Sequence, residues 1–385
     1  FLVREGVDVG GSYSMSAGAA WAWTPEEGGP SAGKAERRAD LAGSLFFDAR
    51  PSRNFRAFAK IKADVRLTET PLDPSAALHE LFVDFDLDSV FFRLGKQTVN
   101  WGVGYFFSPA DIINAGRIDP ENPEAEREGP VALRLHLPSG RNNFYAYATV
   151  DGKPGEYRVA IAPKVEFVLG RSELGAGLYY RADRAPRAMA TLSTSLGRFS
   201  LFGEAVLSKG SDKRFVKEAP VSPDNPFGLA VVTDEETLRF HGTAGARTTY
   251  SDPDGRFSVS AAGQYYYNGE GYDGEFTKAN REAILYFVAT GQLAATELVS
   301  TGRHYAALSL SGTSRLFKDL APAAFWLGNL SDGSGMVNLT LNCTRWENVR
   351  PSISISRTYG AAGSEFAPFN PETRLAVSVT VAGSW

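Results

Sequence analysis

The sequence predicts an all-β chain: a closed antiparallel transmembrane β-barrel of about 18 strands, with 16 as the other count the spacing allows. Three observations predict it. Polar and apolar residues alternate with period two in many segments of about ten residues. Short turns and long links alternate between those segments. The last segment, LAVSVTVAGSW, alternates cleanly and stops on the aromatic Trp385.

The alternation is clearest at 55–67. Phe55, Ala57, Ala59, Ile61, Ala63, Val65 and Leu67 share one face, and Arg56, Lys60, Lys62, Asp64 and Arg66 share the other. Successive strand side chains point to opposite sides, so one face is apolar and its reverse charged. The following segment sets Leu81, Val83, Phe85 and Leu87 against Glu80, Asp84 and Asp86. Val131, Leu133, Leu135 and Leu137 oppose Arg134 and His136. Phe144, Ala146, Ala148 and Val150 oppose Tyr145, Tyr147 and Thr149. Phe257, Val259, Ala261 and Tyr265 oppose Ser258, Ser260 and Gln264. Leu375, Val377, Val379 and Val381 oppose Ala376, Ser378 and Thr380 in the final strand.

Tight turns rich in Gly, Pro, Asp, Asn and Ser fall at Pro51–Asn54, Leu87–Ser89, Ser139–Asn142, Gly170–Glu173, Gly197–Arg198, Asp252–Arg256 and Asn348–Pro351. Between them lie mostly longer links: 25–36, 68–76, 103–129, 209–237, 268–303 and 360–371. Short turns at one end and long loops at the other are the asymmetry of bacterial outer-membrane barrels, and an even strand count puts both termini on the short-turn side. A soluble β-sandwich also alternates, but it packs its inner faces within domains of about 100 residues. Here alternation runs the whole chain as one barrel domain, 1–385, with no linker.

Composition agrees. Hydrophobic residues make up 43%, yet no run of 18 apolar residues exists, which excludes a helical membrane protein. The mean hydropathy of −0.20 fits a barrel, in which alternate strand residues avoid lipid. A net charge of −4 offers nothing to nucleic acid, and the single Cys343 forms no internal disulfide. The chain opens at Phe1 without a charged-then-apolar leader, which reads as a mature form.

The segment 90–119, VFFRLGKQTVNWGVGYFFSPADIINAGRID, carries Gly95-Lys96-Gln97 and then Trp101-Gly102 before a long loop. It resembles the G-[RK]-Q-x-x-x-W-G element of alginate-export-like and related bacterial porin-like families. The resemblance covers about 30 of 385 residues and implies an outer-membrane barrel. The acidic stretch Glu121–Glu128 departs from that pattern. In porins such a loop folds inward and narrows the channel. That makes 103–129 a constriction loop, with Asp111, Asn114, Arg117 and Asp119 as candidate residues; packing on the outer rim is the other arrangement. The link 268–303 predicts a short amphipathic helix broken at Gly291, which covers or plugs the mouth, packs among the outer loops or meets a partner.

Pore-lining candidates on the polar faces are Lys60, Lys62, Asp84, Asp86, Lys96, Arg134, His136, Arg158, Arg181 and Glu204. Cross-strand pairing explains the mixture of signs. A selectivity ring of unpaired Arg and Lys would instead favour anions. No nucleophile elbow, HExxH motif or carboxylate pair appears, and His79, His136, His241 and His304 fall on separate strands, so neither enzyme, metal nor cofactor is predicted. The leading expectation is a multi-pass outer-membrane porin or selective diffusion channel for small hydrophilic solutes, anionic ones where such a ring is present. The alternatives are the barrel component of an export or lipid-transport assembly, or a surface adhesin. Expected partners are outer-membrane lipid, the solute, the barrel-assembly machinery through the strand ending at Trp385, and a periplasmic protein.

Overall fold

The computed structural model describes residues 6–23, 35–68, 71–114, 118–152, 155–223, 225–315, 318–367 and 373–385. The wall begins with β1 (Gly6–Trp23), β2 (Glu36–Ser52), β3 (Phe55–Arg66), β4 (Ser75–Leu87) and β5 (Val90–Lys96). It continues through β6 (Val131–Ser139), β7 (Asn142–Asp151), β8 (Arg158–Leu169), β9 (Ser172–Arg181), β10 (Arg187–Leu196) and β11 (Phe199–Lys209). Two short strands, β12 (Phe215–Glu218) and β13 (Leu229–Val232), pair only with each other. The wall resumes with β14 (Leu238–Ser251), β15 (Phe257–Asn268), β16 (His304–Ser314), β17 (Leu320–Asn329), β18 (Ser334–Cys343), β19 (Arg350–Tyr359) and β20 (Thr373–Ser384).

Eighteen strands form one antiparallel sheet, and β1 pairs with both β2 and β20, so it closes on itself. At the seam Trp385 and Gly11 exchange backbone hydrogen bonds of 3.1 Å. Closure satisfies every edge, which lipid demands because each unpaired backbone group there costs several kcal/mol.

The outer surface is a belt of exposed apolar side chains. Leu81, Leu94, Val159, Ile161, Leu178, Leu308 and Leu339 are each 50–57% exposed. A continuous apolar band of this extent is the lipid face of a membrane-spanning barrel. The opposite parity carries the charges and hydroxyls. In the turns Gly170-Arg171 and Gly197-Arg198, glycine takes φ of +62° and +60°, which only glycine adopts without strain.

Candidate functional site

Residues 97–114 and 118–130, between β5 and β6, run along the inner wall. The contacts follow the strands in barrel order. Gln97 Nε2 donates to the Ala132 carbonyl of β6 at 2.9 Å. Trp101 is fully buried, edge-on to Tyr147 of β7, with its indole N–H directed at Met189 of β10. Lys164 of β8 donates to the Trp101 carbonyl at 2.8 Å. A Cβ on Gly177 of β9 would sit 3.0 Å from the Trp101 ring, so the glycine makes the seat. Glu204 of β11 accepts from four donors: the Val103, Gly104 and Ala110 amides at 2.5, 2.6 and 2.9 Å and the Ser108 hydroxyl at 2.8 Å. A Cβ on Gly102 would collide with Ser108 and Glu204, which explains the glycine of the Trp-Gly pair.

Further on, Arg247 of β14 lies over the Tyr105 ring at 4.2 Å. Gln264 of β15 accepts from the Phe106 amide and donates to the Phe107 carbonyl, both at 2.6 Å. Phe106 meets Phe325 of β17, and Phe107 meets Tyr266 of β15 and Tyr305 of β16. The chain then turns back. Asn114 closes the excursion on Val99, accepting from its amide at 2.9 Å and donating to its carbonyl at 2.6 Å.

The returning acidic arm faces β3, β4 and β5. Glu126 pairs with Lys60 and, at 3.1 Å, with Lys62; Glu128 pairs with Lys96 at 2.5 Å. Burial raises the Glu126 pKa, but hydrogen bonds from Lys60 and Lys62 outweigh it and hold the carboxyl below its ordinary value. Hydrogen bonding to Lys96 lowers Glu128 in the same sense.

The wall of β2–β6 is a ladder of charge and aromatic rings. Arg56 pairs with Asp48 at 2.8 Å and Asp84 at 3.5 Å, and Arg93 with Asp84 at 2.6 Å. Phe46, Phe58 and Phe82 stack in sequence, and Arg93 lies 3.8 Å over Phe82. Arg134 sits beside Arg93 in register, and its Nε has no hydrogen-bond partner among the described residues. Five arginines (Arg50, Arg53, Arg56, Arg93, Arg134) face four aspartates (Asp8, Asp48, Asp84, Asp86), leaving the ladder net positive. Other stretches of the wall carry hydroxyl pairs. Ser12 bonds Ser44 and Ser354 bonds Ser378, both at 2.7 Å, and Thr249 bonds Ser260 at 2.9 Å.

Of the predicted pore residues, Lys60, Lys62, Asp84, Asp86 and Arg134 therefore gather on one side of the lumen. His136 is beside them, stacked on Tyr145 at 4.5 Å. Lys96 departs from the expectation. It lies in register between Leu81 and Val131 on the lipid-facing parity, and its ammonium turns to the Leu78 carbonyl and Glu128. Glu204 is on the inner face but is covered by the loop it binds. Arg181 is at the long-loop rim, paired with Asp151 and Asp183, and Arg158 is opposite Asp151 in the ladder. In the loop, Asp111 is buried against Arg127 and Asn114 bonds backbone, so both brace the loop. Asp119 is exposed and caps a turn through the Glu121 amide. Arg117 lies outside the described residues.

Lys164, Arg93 and the three stacked phenylalanines escaped the sequence reading, which put Gln264 on the polar face but gave it no role. Phe58 and Phe82 left a signal, since each places a large apolar group on a charged face.

At the long-loop end, helices α1 (Gly274–Ala279) and α2 (Arg281–Ala289) precede Gly291, whose φ is +73°. Ala283, Ile284 and Phe287 bury against Val216 of β12 and Leu229 of β13, so the apolar helix side packs between outer loops. Glu365 is half-buried nearby and accepts from the Ser300 amide at 3.0 Å and Asn329 at 2.8 Å.

A closed barrel, lipid-belted outside and polar inside, with a loop seated on its inner wall, is a porin-like β-barrel. No family model and no curated protein matches the chain. Solved structures do. Acinetobacter baumannii OccAB4 matches with a TM-score of 0.56 at 10% identity, over 98% of each chain. Pseudomonas aeruginosa OccK8 (OprE) gives 0.54 at 11%, again over 98% of each chain. Pseudomonas aeruginosa OccK2 (OpdF), solved in complex with glucuronate, gives 0.54 at 11% and the same coverage. At such identities the likeness establishes the fold. These are Occ and Opd barrels, not the alginate-export family whose motif 95–102 resembles.

Proposed function

We propose that the chain is an outer-membrane channel for small hydrophilic anions, with 103–129 as its constriction loop. The observation that carries this reading is the division of the lumen. The loop is pinned along β6–β17, which leaves the net-positive ladder of Arg56, Arg93 and Arg134 and the hydroxyl wall of β19, β20, β1 and β2 to border the water path. A low-dielectric wall focuses such a field and raises local anion concentration. The glucuronate bound by the similar barrel OccK2 is a solute of this class. Transport then needs size exclusion and electrostatic selection, with no chemical step. The lipid belt and closed seam place the barrel in the outer membrane. The alternating strand that ends at Trp385 is the segment for the barrel-assembly machinery to recognise.

The test is single-channel conductance in a planar bilayer, with reversal potential under a salt gradient. Steady conductance with anion preference is expected. A barrel that stays closed, or prefers cations, overturns the reading.

A further inference from the structure

The lipid-facing side of the wall carries no charge across neighbouring strands β17–β20 and β1–β3, two described residues excepted: Arg37 on β2 and Arg357 on β19. Arg357 shares its parity with Ile353 and Ile355, and Arg37 with Leu41, all exposed apolar residues of the lipid belt. Both arginines are exposed, and among the described residues neither has a hydrogen bond or an ion pair. The acid beside Arg37, Glu36, has the opposite parity and accepts from Arg374 at 3.0 Å.

Both residues lie at the level where lipid headgroups begin. Barrel strands tilt, so a line of paired residues climbs the wall as it crosses them. One such line starts at Phe199, beside the tight turn before β11, and passes through Thr248, Ala261, Leu310, Ala324 and Leu339 to Ile355. It continues through Val377 and Ala19 to Arg37, at the long-loop end of β2. With strands about 4.8 Å apart and tilted about 40°, each step rises about 3 Å. Arg357, just beyond Ile355 on β19, is then about 23 Å above Phe199, and Arg37 about 27 Å. The apolar band of such a barrel is about 25 Å tall, so both residues stand at its outer edge. Tyr359, the next outward residue of β19, accepts a 2.8 Å hydrogen bond from the Trp326 indole and marks the aromatic girdle there. By the same spacings the two arginine Cα atoms are about 16 Å apart. Leu375, Val377, Ala17 and Ala19 form the lipid-facing surface between them.

An unpaired guanidinium at the edge of hydrocarbon is stabilised by an anion, and its fork of donors matches the oxygens of a phosphate. Two such groups at one level, separated by a shallow apolar surface, leave room for one phosphate apiece. We propose that Arg37 and Arg357 form a docking site for a diphosphorylated, acylated disaccharide lipid of the outer leaflet. Each guanidinium takes one phosphate, and acyl chains lie along β20 and β1. The site is on the outside of the barrel, away from the water path, so it does not depend on conductance. A lipid with one phosphate satisfies only one of the two cations.

The experiment titrates diphosphoryl lipid A into the detergent-solubilised full chain and measures bound lipid by native mass spectrometry. Monophosphoryl lipid A and phosphatidylglycerol are the comparators. Wild type is expected to bind the diphosphoryl lipid most tightly. Arg37→Gln and Arg357→Gln each raise its dissociation constant about five-fold, to near that of the monophosphoryl lipid, and the double variant raises it about 25-fold. Arg171→Gln, which removes an exposed arginine from the short-turn end, changes nothing. Heat-resistant migration checks that each variant keeps its barrel. A double variant that binds the diphosphoryl lipid as wild type does overturns the inference. So does an equal loss in Arg171→Gln, which would mean general charge attraction. Phosphatidylglycerol bound as tightly by wild type, and lost in the same variants, makes the occupant a phospholipid and overturns the glycolipid assignment.

Discussion

Glu204 shows how one side chain can organise a segment nearly 100 residues away. Its carboxylate gathers four donors that the loop has no other means of pairing. A buried donor left unpaired costs about 1–3 kcal/mol. Glu204→Ala should therefore release the loop while the barrel persists, seen as raised, noisier conductance and faster proteolysis within 103–129. Trp101→Ala should act the same way, at about 3–5 kcal/mol of docking energy for a buried aromatic. The arm responds to acid. Glu126 and Glu128 both titrate below their ordinary 4.5 when bound to lysine. A depressed carboxylate contributes attachment above the free value and loses it as pH falls through the bound one. The arm should thus stay attached at neutral pH and detach below 4.5, visible as new conductance fluctuations that Glu126→Gln/Glu128→Gln shows already at pH 7.

At the scale of the element, the strand's two faces obey different solvents. Leu133 of β6 faces lipid and Ser354 of β19 faces the lumen. Leu133→Arg should cost about 2–4 kcal/mol near the midplane. Ser354→Arg should leave stability nearly unchanged and shift ion selectivity. Urea unfolding in vesicles separates the two. Among the outer loops, α2 and the β12–β13 hairpin share one apolar cluster. Phe287→Asp should loosen both together, measured by hydrogen exchange, without changing the heat-resistant migration of the barrel.

For the whole molecule, the proposed channel draws its selectivity from the imbalance between two walls, one charged at β2–β6 and one lined with hydroxyls. An electrostatic preference of this origin is screened over about 10 Å at 0.1 M salt and about 3 Å at 1 M. Anion preference should therefore be strong at low salt and collapse at high salt; a preference independent of ionic strength would place selection in steric fit instead.

The chain alone determined the barrel and its face assignment, and narrowed the strand count to 18 or 16; closure of the sheet decided for 18. Period two is local: at 55–67 every apolar position but Phe58 declares the lipid side without reference to any partner. The hydrophobic and polar faces of Lys60, Lys62 and Asp84 were legible for the same reason. Lys96 was misread because a charge at a strand end can leave the parity of its strand once Glu128 and the Leu78 carbonyl are near. Only the tertiary structure decided what the loop touches, that Glu204 and Gln264 are anchors, and that Glu126 sits among three wall residues. Those contacts join residues dozens of positions apart through closure of the sheet. No local pattern encodes them, because the partner's place exists only once the barrel has closed.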